Sequence, residues 1–449
     1  MINRKIDKFL EDFFSKSDKK ALLVTGARQI GKTFSIRQFG KKRYKSFVEI
    51  NFIQQPDLVP LFSNVSNSAD LLLRISSVVK GKLINRNTLI FLDEVQCCPE
   101  IVTAIKFLVD EGSYDYVLSG SLLGVELNDL RSVPVGYLAV KNMYPLDFEE
   151  FLLAYGVKEN VIDKLRECFS NLVPVDDFVH GKILELFRLY LIVGGMPEAV
   201  KSYLDTNNLQ NVSEIQRQII NMYKKDISKY DKDNKLYIQE IFDLIPPELN
   251  AKNKRFILKK LNENFKFSRY ENSFLWLKDA GVAIPVYNVD EPRLPLLLSR
   301  ERNLFKLFLS DIGLLSCMYA NGIQMEILSN NKSINFGSVY ENAIAQELLA
   351  HGFASYFFNN KKLGELDFVI EYQGKPVPLE IKSGKDYNRH NALSNVLKVA
   401  NYDIRKAYVL SNENLKLSGQ ITYLPIYMIM FFSNETRLPV SYRVDISGL

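Results

Sequence analysis

Apolar residues run without alternation through Ala21-Leu22-Leu23-Val24, Thr88-Leu89-Ile90-Phe91-Leu92 and Tyr116-Val117-Leu118. Unbroken runs of this length suit parallel strands covered on both faces by helices. Around them the period changes. Thr33–Phe39 is helix-compatible, and Ile6, Phe9, Leu10 and Phe13 recur at helical spacing near the start. From about Val161 to Tyr203 the pattern is helical, with Leu184, Phe187 and Leu191 at core spacing. That stretch closes on Gly194-Gly195-Met196-Pro197, whose small residues and proline predict a tight helix–helix corner.

Residues 235–290 predict a different unit. Phe256, Ile257, Leu258 and Leu261 suggest one helix, and Ser268 is a good N-cap for the next. That second helix carries Tyr270, Phe274, Leu277 and Lys278, then Ala280-Gly281 and the strand-like Val282–Tyr287. Helix, helix, glycine and β-ribbon in this order predict a winged helix-turn-helix. Its Lys252, Lys254, Arg255, Lys259, Lys260, Lys266 and Arg269 suit contact with a DNA backbone. Glu271 and Asp279 weigh against that reading, and the solvated face of an interaction module fits equally well.

Near the C-terminus, Gly364–Ile370 and Pro376–Lys382 form a strand pair joined by the turn Gln373-Gly374-Lys375. Gly337–Glu341 opens an amphipathic helix with Ile344, Leu348 and Leu349 inward. Asn391–Ala400 looks helical, and Lys406–Leu410 looks like a further strand.

Candidate chemistry sits at the ends of these elements. Gly26-Ala27-Arg28-Gln29-Ile30-Gly31-Lys32-Thr33 is a complete G-x-x-x-x-G-K-[ST] loop between a strand and a helix. Its backbone N–H groups and the following helix N-terminus would cradle phosphates. Lys32 would reach the β- and γ-phosphates, and Thr33 would place its hydroxyl on Mg²⁺. The strand at Thr88–Leu92 ends in Asp93 and Glu94. Asp93 is the expected Mg²⁺-side residue, and Glu94 is placed to polarise the attacking water. Ser119 and Ser121 follow the third strand and could bond the γ-phosphate or that water, or simply form a serine-rich turn.

The C-terminal hairpin brings Asp367 near Glu380 and Lys382, and alternation puts Glu380 and Lys382 on one face. Two carboxylates can hold a divalent cation while the lysine orients or activates a water; Glu341 would supply a further carboxylate.

A chain of 449 residues calls for two or three domains. A hydrophobic fraction of 47% and a charged fraction of 24% are those of an ordinary globular protein. The net charge of +5 permits nucleic-acid contact without demanding it. Cys97, Cys98, Cys168 and Cys317 have neither disulfide-framework nor metal-ligand spacing, which fits a reducing compartment. His180, His351 and His390 are isolated, so surface or core roles suit them. The N-terminus lacks a signal-peptide apolar core, and the longest apolar stretch, Leu424–Phe432, is too short for a bilayer. A cytoplasmic location without membrane contact is expected.

Taken together, Gly26–Thr33, Leu92-Asp93-Glu94-Val95-Gln96, Leu118-Ser119-Gly120-Ser121, Tyr144–Phe151 and Gly194-Gly195-Met196-Pro197-Glu198 resemble a known pattern. It is that of predicted AAA+ superfamily ATPases of bacteria and archaea with an uncharacterised C-terminal domain. The resemblance implies ATP and Mg²⁺ as cofactors and a lid packed near the nucleotide; a homo-oligomer is one option, and the sequence leaves the oligomeric state open. One departure is Gly136-Tyr137, where the family tends to carry Gly-Arg; Arg131 is the nearest arginine. The order helix, strands, D…E-x-K, helix, strand also resembles the PD-(D/E)XK restriction-endonuclease-like fold. That second resemblance implies metal-dependent phosphodiester cleavage by Asp367, Glu380 and Lys382, with Glu341 assisting.

The expected fold is therefore α/β, with four units. They are a P-loop AAA+ parallel-sheet core (1–160), a helical lid (161–234), a winged-helix-like domain (235–300) and a nuclease-like α/β domain (301–449). The expected function is MgATP hydrolysis that gates a C-terminal domain acting on DNA or RNA. The alternative is a nucleotide-dependent switch for a protein partner, with an inactive nuclease-like domain.

Overall fold

The computed structural model describes residues 2–16, 20–62, 67–79, 81–121, 136–230, 235–251, 254–256, 270–319, 323–329, 336–384, 386–434 and 443. The chain opens with α1 (Lys5–Phe14), then β1 (Ala21–Thr25), α2 (Lys32–Arg43), β2 (Ser46–Asn51), α3 (Ser68–Val78) and β3 (Thr88–Asp93). Next come α4 (Pro99–Glu111), β4 (Asp115–Ser119) and β5 (Leu138–Asn142). These five strands form one sheet in the order β2-β3-β4-β1-β5, and every pairing is parallel.

The unbroken apolar runs have the burial that their pattern predicts. Leu22, Val24, Leu89 and Phe91 face Ile6, Leu10, Ile36 and Phe39, which α1 and α2 contribute. Ala21, Leu23, Ile90 and Leu92 face the other way, onto Leu71 and Ile75 of α3 and Ile101 and Ile105 of α4. Both faces are covered, so alternation has no solvent side to follow. The loop ahead of α2 needs its first glycine. Gly26 has φ +133, and a Cβ there would lie 2.2 Å from the Met143 carbonyl oxygen.

A helical layer follows: α5 (Phe148–Tyr155), α6 (Glu159–Asn171), α7 (Asp177–Val193), α8 (Pro197–Thr206), α9 (Leu209–Tyr230) and α10 (Lys235–Asn250). The predicted corner lies between α7 and α8, with Gly194 at the end of one and Pro197 in the first turn of the other. It is tight because a Cβ on Gly195 would meet Leu146 O at 2.1 Å.

Beyond it lie α11 (Glu271–Asp279), β6 (Ala283–Val289), β7 (Arg300–Leu309), α12 (Ile312–Met318), α13 (Ile323–Leu328) and α14 (Gly337–Ala350). The chain then runs through β8 (Ser355–Asn360), β9 (Gly364–Tyr372), β10 (Lys375–Lys382), α15 (Asn391–Leu397), β11 (Ala407–Ser411), β12 (Lys416–Ser418) and β13 (Ile421–Pro425). A second, mixed sheet has the order β12-β13-β11-β10-β9-β8-β6-β7.

That order corrects the winged-helix expectation. The ribbon β6–β7 is not the wing of a separate 235–300 unit, because β6 pairs in parallel with β8 through Tyr287↔Tyr356 and Val289↔Phe358. Phe256 is not helical here either; its N–H donates to Phe305 O at 3.0 Å and its ring packs on Phe274 and Phe305. Ile257, Leu258, Leu261, Ser268 and the basic residues Lys252, Lys259, Lys260, Lys266 and Arg269 lie outside the described residues, as does Arg131.

A second correction concerns α14. It is not amphipathic: Ser338 through Leu348 are all buried. The helix runs between the mixed sheet and the helical layer, so its polar side must be satisfied by protein rather than water. Among the described residues no helix is long and apolar enough to cross a membrane.

Candidate functional site

The strand order places the carboxyl ends of β1, β3 and β4 side by side, where ligands of parallel sheets collect. Lys32, at the start of α2, is nearly buried, and its ammonium donates to the carbonyls of Gly26 at 2.8 Å and Ala27 at 2.7 Å. Burial pulls its pKa down to about 8 against the pull of Glu94 and Asp93, and the Arg28 charge lowers it further. An anionic ligand would restore the full positive charge.

Asp93 is the hub of the site. Its Oδ2 accepts from Thr33 Oγ1 at 3.1 Å and from Asn51 Nδ2 at 3.0 Å, while its Oδ1 accepts from the Ser119 hydroxyl. Burial raises the Asp93 pKa; the Ser119 and Thr33 hydroxyls oppose that rise. Thr33 and Asp93 are thus held together as the loop and strand-end motifs predict. The donor set of one hydroxyl and one carboxylate, with room in octahedral coordination for phosphate oxygens and water, fits Mg²⁺.

Glu94 follows in a left-handed conformation, φ 58, which is uncommon for a residue with a Cβ. Glu94 Oε2 accepts from Gln96 Nε2 at 2.5 Å and from Ser121 Oγ at 3.3 Å. Ser121 also accepts from Arg28 Nε at 3.1 Å. The two serines therefore have separate partners, Ser119 on the cation-side carboxylate and Ser121 on Glu94. Tyr137, where an arginine was expected, supplies a backbone carbonyl to Ala21 N at 2.9 Å.

Sequence reasoning did not single out Asn51, and it quoted Gln96 in a motif without giving it a role. Asn51 ends the strand beside β3, in register with Asp93, and that strand-end position was the available signal.

A junction ties this site to the rest of the chain. Arg4, ahead of α1, donates to Ile30 O of the loop at 2.9 Å and to Tyr144 O at 2.7 Å, and it pairs with Glu150 at 3.1 Å. Lys5 pairs with Asp147 at 2.6 Å, and Asp147 lies 3.4 Å from His351 Nε2 at the end of α14. Glu347 accepts from Phe148 N at 2.8 Å, and the Tyr190 hydroxyl donates to Leu146 O at 2.8 Å. Burial raises the Glu347 pKa to about 7, with the Asp147 charge adding to the rise. His351, described from sequence as isolated, is in fact buried between carboxylates. Burial lowers its pKa, but Asp147 and Glu347 outweigh that and raise it. The α7–α8 corner also reaches the loop: a Cβ on Gly31 would lie 3.6 Å from Pro197 Cγ.

In the C-terminal hairpin, Asp367 Oδ2 accepts from Ile381 N at 2.8 Å, and Lys382 Nζ donates to Glu380 Oε1 at 2.7 Å. Burial raises the Glu380 pKa to about 8, the Asp367 charge adds to it and Lys382 opposes it. The predicted trio is thus brought together. Glu341 joins it from α14, but its carboxylate faces two ammonium groups: it bonds Lys254, and Lys306 lies 3.7 Å away. Lys306 is fully buried and also pairs with Glu365 at 2.8 Å. Among the described residues no three His, Cys, Asp or Glu side chains come together in an arrangement that would hold a metal ion.

Residues 18–152 match the family model described as an AAA domain. Residues 184–326 and 336–429 match two models that are each described as a domain of unknown function. No curated protein matches. Among solved structures, the chain is similar to the Walker-type ATPase of Pyrococcus abyssi, at 12% identity and a TM-score of 0.42, over 71% of this chain and 96% of that one. It is similar to the RuvB Holliday junction branch migration motor of Thermotoga maritima, at 12% identity and 0.29, over 66% and 91%. The Orc1 protein of Aeropyrum pernix in complex with DNA matches at 12% identity and 0.24, over 73% and 91%. The family match and the Lys32–Thr33–Asp93–Glu94 geometry agree, and residues 18–152 are an AAA-type P-loop ATPase domain.

Proposed function

We propose that this chain is a Mg²⁺-dependent ATPase whose nucleotide state controls its C-terminal α/β unit. The observation that carries the reading is the hydrogen bond from Thr33 to Asp93 at 3.1 Å, which joins the phosphate loop to the strand-end carboxylate beside a buried lysine. Bound MgATP would supply the phosphoanhydride bond and the Lewis acid. The loop amides of Gly26–Thr33 would hold phosphate oxygens, and Lys32 would exchange the carbonyls of Gly26 and Ala27 for them. Thr33 and Asp93 would hold the cation side. Glu94, oriented by Gln96 and Ser121, is the base that takes a proton from water.

The test is MgATP binding and turnover in two variants. Lys32→Ala should lose affinity, while Glu94→Gln should retain ATP and stop phosphate release. Undiminished affinity in Lys32→Ala refutes the assignment.

For the C-terminal unit, the juxtaposition of Asp367, Glu380 and Lys382 supports a metal-dependent nuclease acting on DNA or RNA. The pairing of Glu341 with Lys254 and Lys306 favours the second reading, a switch that binds a protein partner through an inactive nuclease-like unit. Incubation with plasmid DNA or RNA and Mn²⁺, with and without ATP, separates the two. Cleavage lost in Lys382→Ala supports the nuclease, and no cleavage by the wild type supports the switch.

A further inference from the structure

The phosphate loop holds a second cation that the motif does not require. Arg28 extends from the loop to α9, where its Nη1 meets Asp226 Oδ1 at 2.6 Å. Asp226 is almost fully buried, whereas the Arg28 side chain keeps a quarter of its surface open. One turn earlier on the same face of α9, the Tyr223 hydroxyl donates to Arg28 O at 3.2 Å. Helix α9 therefore grips both the side chain and the main chain of this one residue.

The other edge of the guanidinium faces the chemistry. Arg28 Nε donates to Ser121 Oγ at 3.1 Å, and Ser121 lies 3.3 Å from the Glu94 carboxylate. The Arg28 charge is also close enough to Lys32 to lower its pKa. An arginine two hydrogen bonds from the water-activating carboxylate and electrostatically coupled to the phosphate lysine stands at the terminal-phosphate end of the site. A guanidinium has five donors, and the Asp226 and Ser121 contacts account for two of them. The remaining donors form a planar fork suited to phosphate oxygens.

We propose that Arg28 recognises the terminal phosphate of ATP in cis, that Asp226 is its positioning residue, and that α9 thereby senses triphosphate against diphosphate. The inference rests on the ATPase reading above and adds a residue to it. It also answers the departure at Tyr137: the arginine charge comes from within the loop.

The test compares ATP and ADP binding to the full-length protein, with Mg²⁺, by titration calorimetry, and measures kcat in parallel. Arg28→Ala should weaken ATP by about tenfold to a hundredfold, the range for a charged hydrogen bond, while ADP changes by less than about threefold. Asp226→Asn should produce a smaller loss with the same ATP-selective sign, and Arg28→Lys should recover part of it. A loop merely held in shape by Arg28 would lose ATP and ADP together. That parallel loss, or an unchanged ATP-to-ADP ratio, overturns the proposal while leaving the ATPase assignment intact. A wild type that binds neither nucleotide overturns both. If Arg28→Ala fails to fold, the Asp226→Asn ratio decides the matter alone.

Discussion

Lys306 offers a measurable consequence of the charged cluster on β7 and α14. Its side chain is fully buried and its ammonium lies 2.8 Å from Glu365 and 3.7 Å from Glu341, over the face of Phe357 at 5.1 Å. Burial alone would drive this lysine neutral, but the Glu341 and Glu365 charges reverse that and raise its pKa. Lys306→Met keeps the volume and removes the charge. Burial and the Asp367 charge already raise the Glu341 pKa, and the variant removes one of the two cations that oppose that rise and hold it as a carboxylate. Removing one partner of a buried pair costs about 3–5 kcal/mol, because the remaining ion stays desolvated. Glu341 keeps Lys254 and Glu365 is partly exposed, so the expected loss lies near the lower bound, about 3 kcal/mol.

Urea unfolding followed by circular dichroism reads this directly. Lys306→Met should lower the unfolding free energy by that amount, roughly a hundredfold or more in the folding constant, and move the midpoint down by that amount divided by the m-value. The double variant Lys306→Met/Glu341→Gln should recover part of the loss, since the stranded charge is gone. A single variant within about 1 kcal/mol of wild type, or a double variant equal to the sum of the singles, would refute the account.

Three further outcomes follow from the geometry. Glu347 and His351 both keep protons in the fold that the unfolded chain releases, because their native pKa values are raised, to about 7 for Glu347. The stability that Glu347 adds is complete below the ordinary glutamate pKa of 4.5 and is lost as pH rises through about 7; that of His351 is complete below 6.5 and is lost above it. Chemical denaturation at pH 5.5 to 8 should therefore show stability falling with pH, and a slope that Glu347→Gln leaves unchanged would contradict this. Gly195→Ala should cost about 1–3 kcal/mol of stability by denaturant titration, since its Cβ would press on the Leu146 backbone at 2.1 Å. Asn51→Ala, which removes a donor to Asp93, should raise the Mg²⁺ concentration needed for half-maximal turnover, and an unaltered Mg²⁺ titration would remove Asn51 from the site.

The nucleotide site was legible because its signals are local. Eight consecutive residues specify the loop, and an apolar run that stops at Asp93-Glu94 specifies a strand end. The buried α14 was not legible, for the opposite reason. Its Asn342 exchanges hydrogen bonds with the Leu309 backbone at 2.8 and 3.0 Å, and its Gln346 accepts from Ile312 N at 2.8 Å. Polar side chains satisfied by remote backbone read as a solvent face in any local window. The ribbon β6–β7 misled similarly: its partner β8 begins at Ser355, far along the chain, and short-range patterning carries no record of that pairing.

The junction between the ATPase sheet and α14 also explains how a small change at the loop can matter at a distance. An apolar contact would tolerate sliding, whereas this one is built from directed bonds: Glu347 to Phe148 N, Gln346 to the Tyr190 hydroxyl, Tyr190 to Leu146 O, and Leu146 N to Gly195 O at 2.7 Å. Each buried donor or acceptor costs about 1–3 kcal/mol if left unpaired, so partial displacement is worse than either full docking or full release. Directed contacts of this kind favour discrete arrangements over continuous sliding. Arg4 feeds it from the loop, because the same guanidinium bonds Ile30 O and Tyr144 O and pairs with Glu150. Under the proposed control by nucleotide, Arg4 is the contact through which a shift of the loop would reach the segment whose hydrogen bonds hold α14 in place.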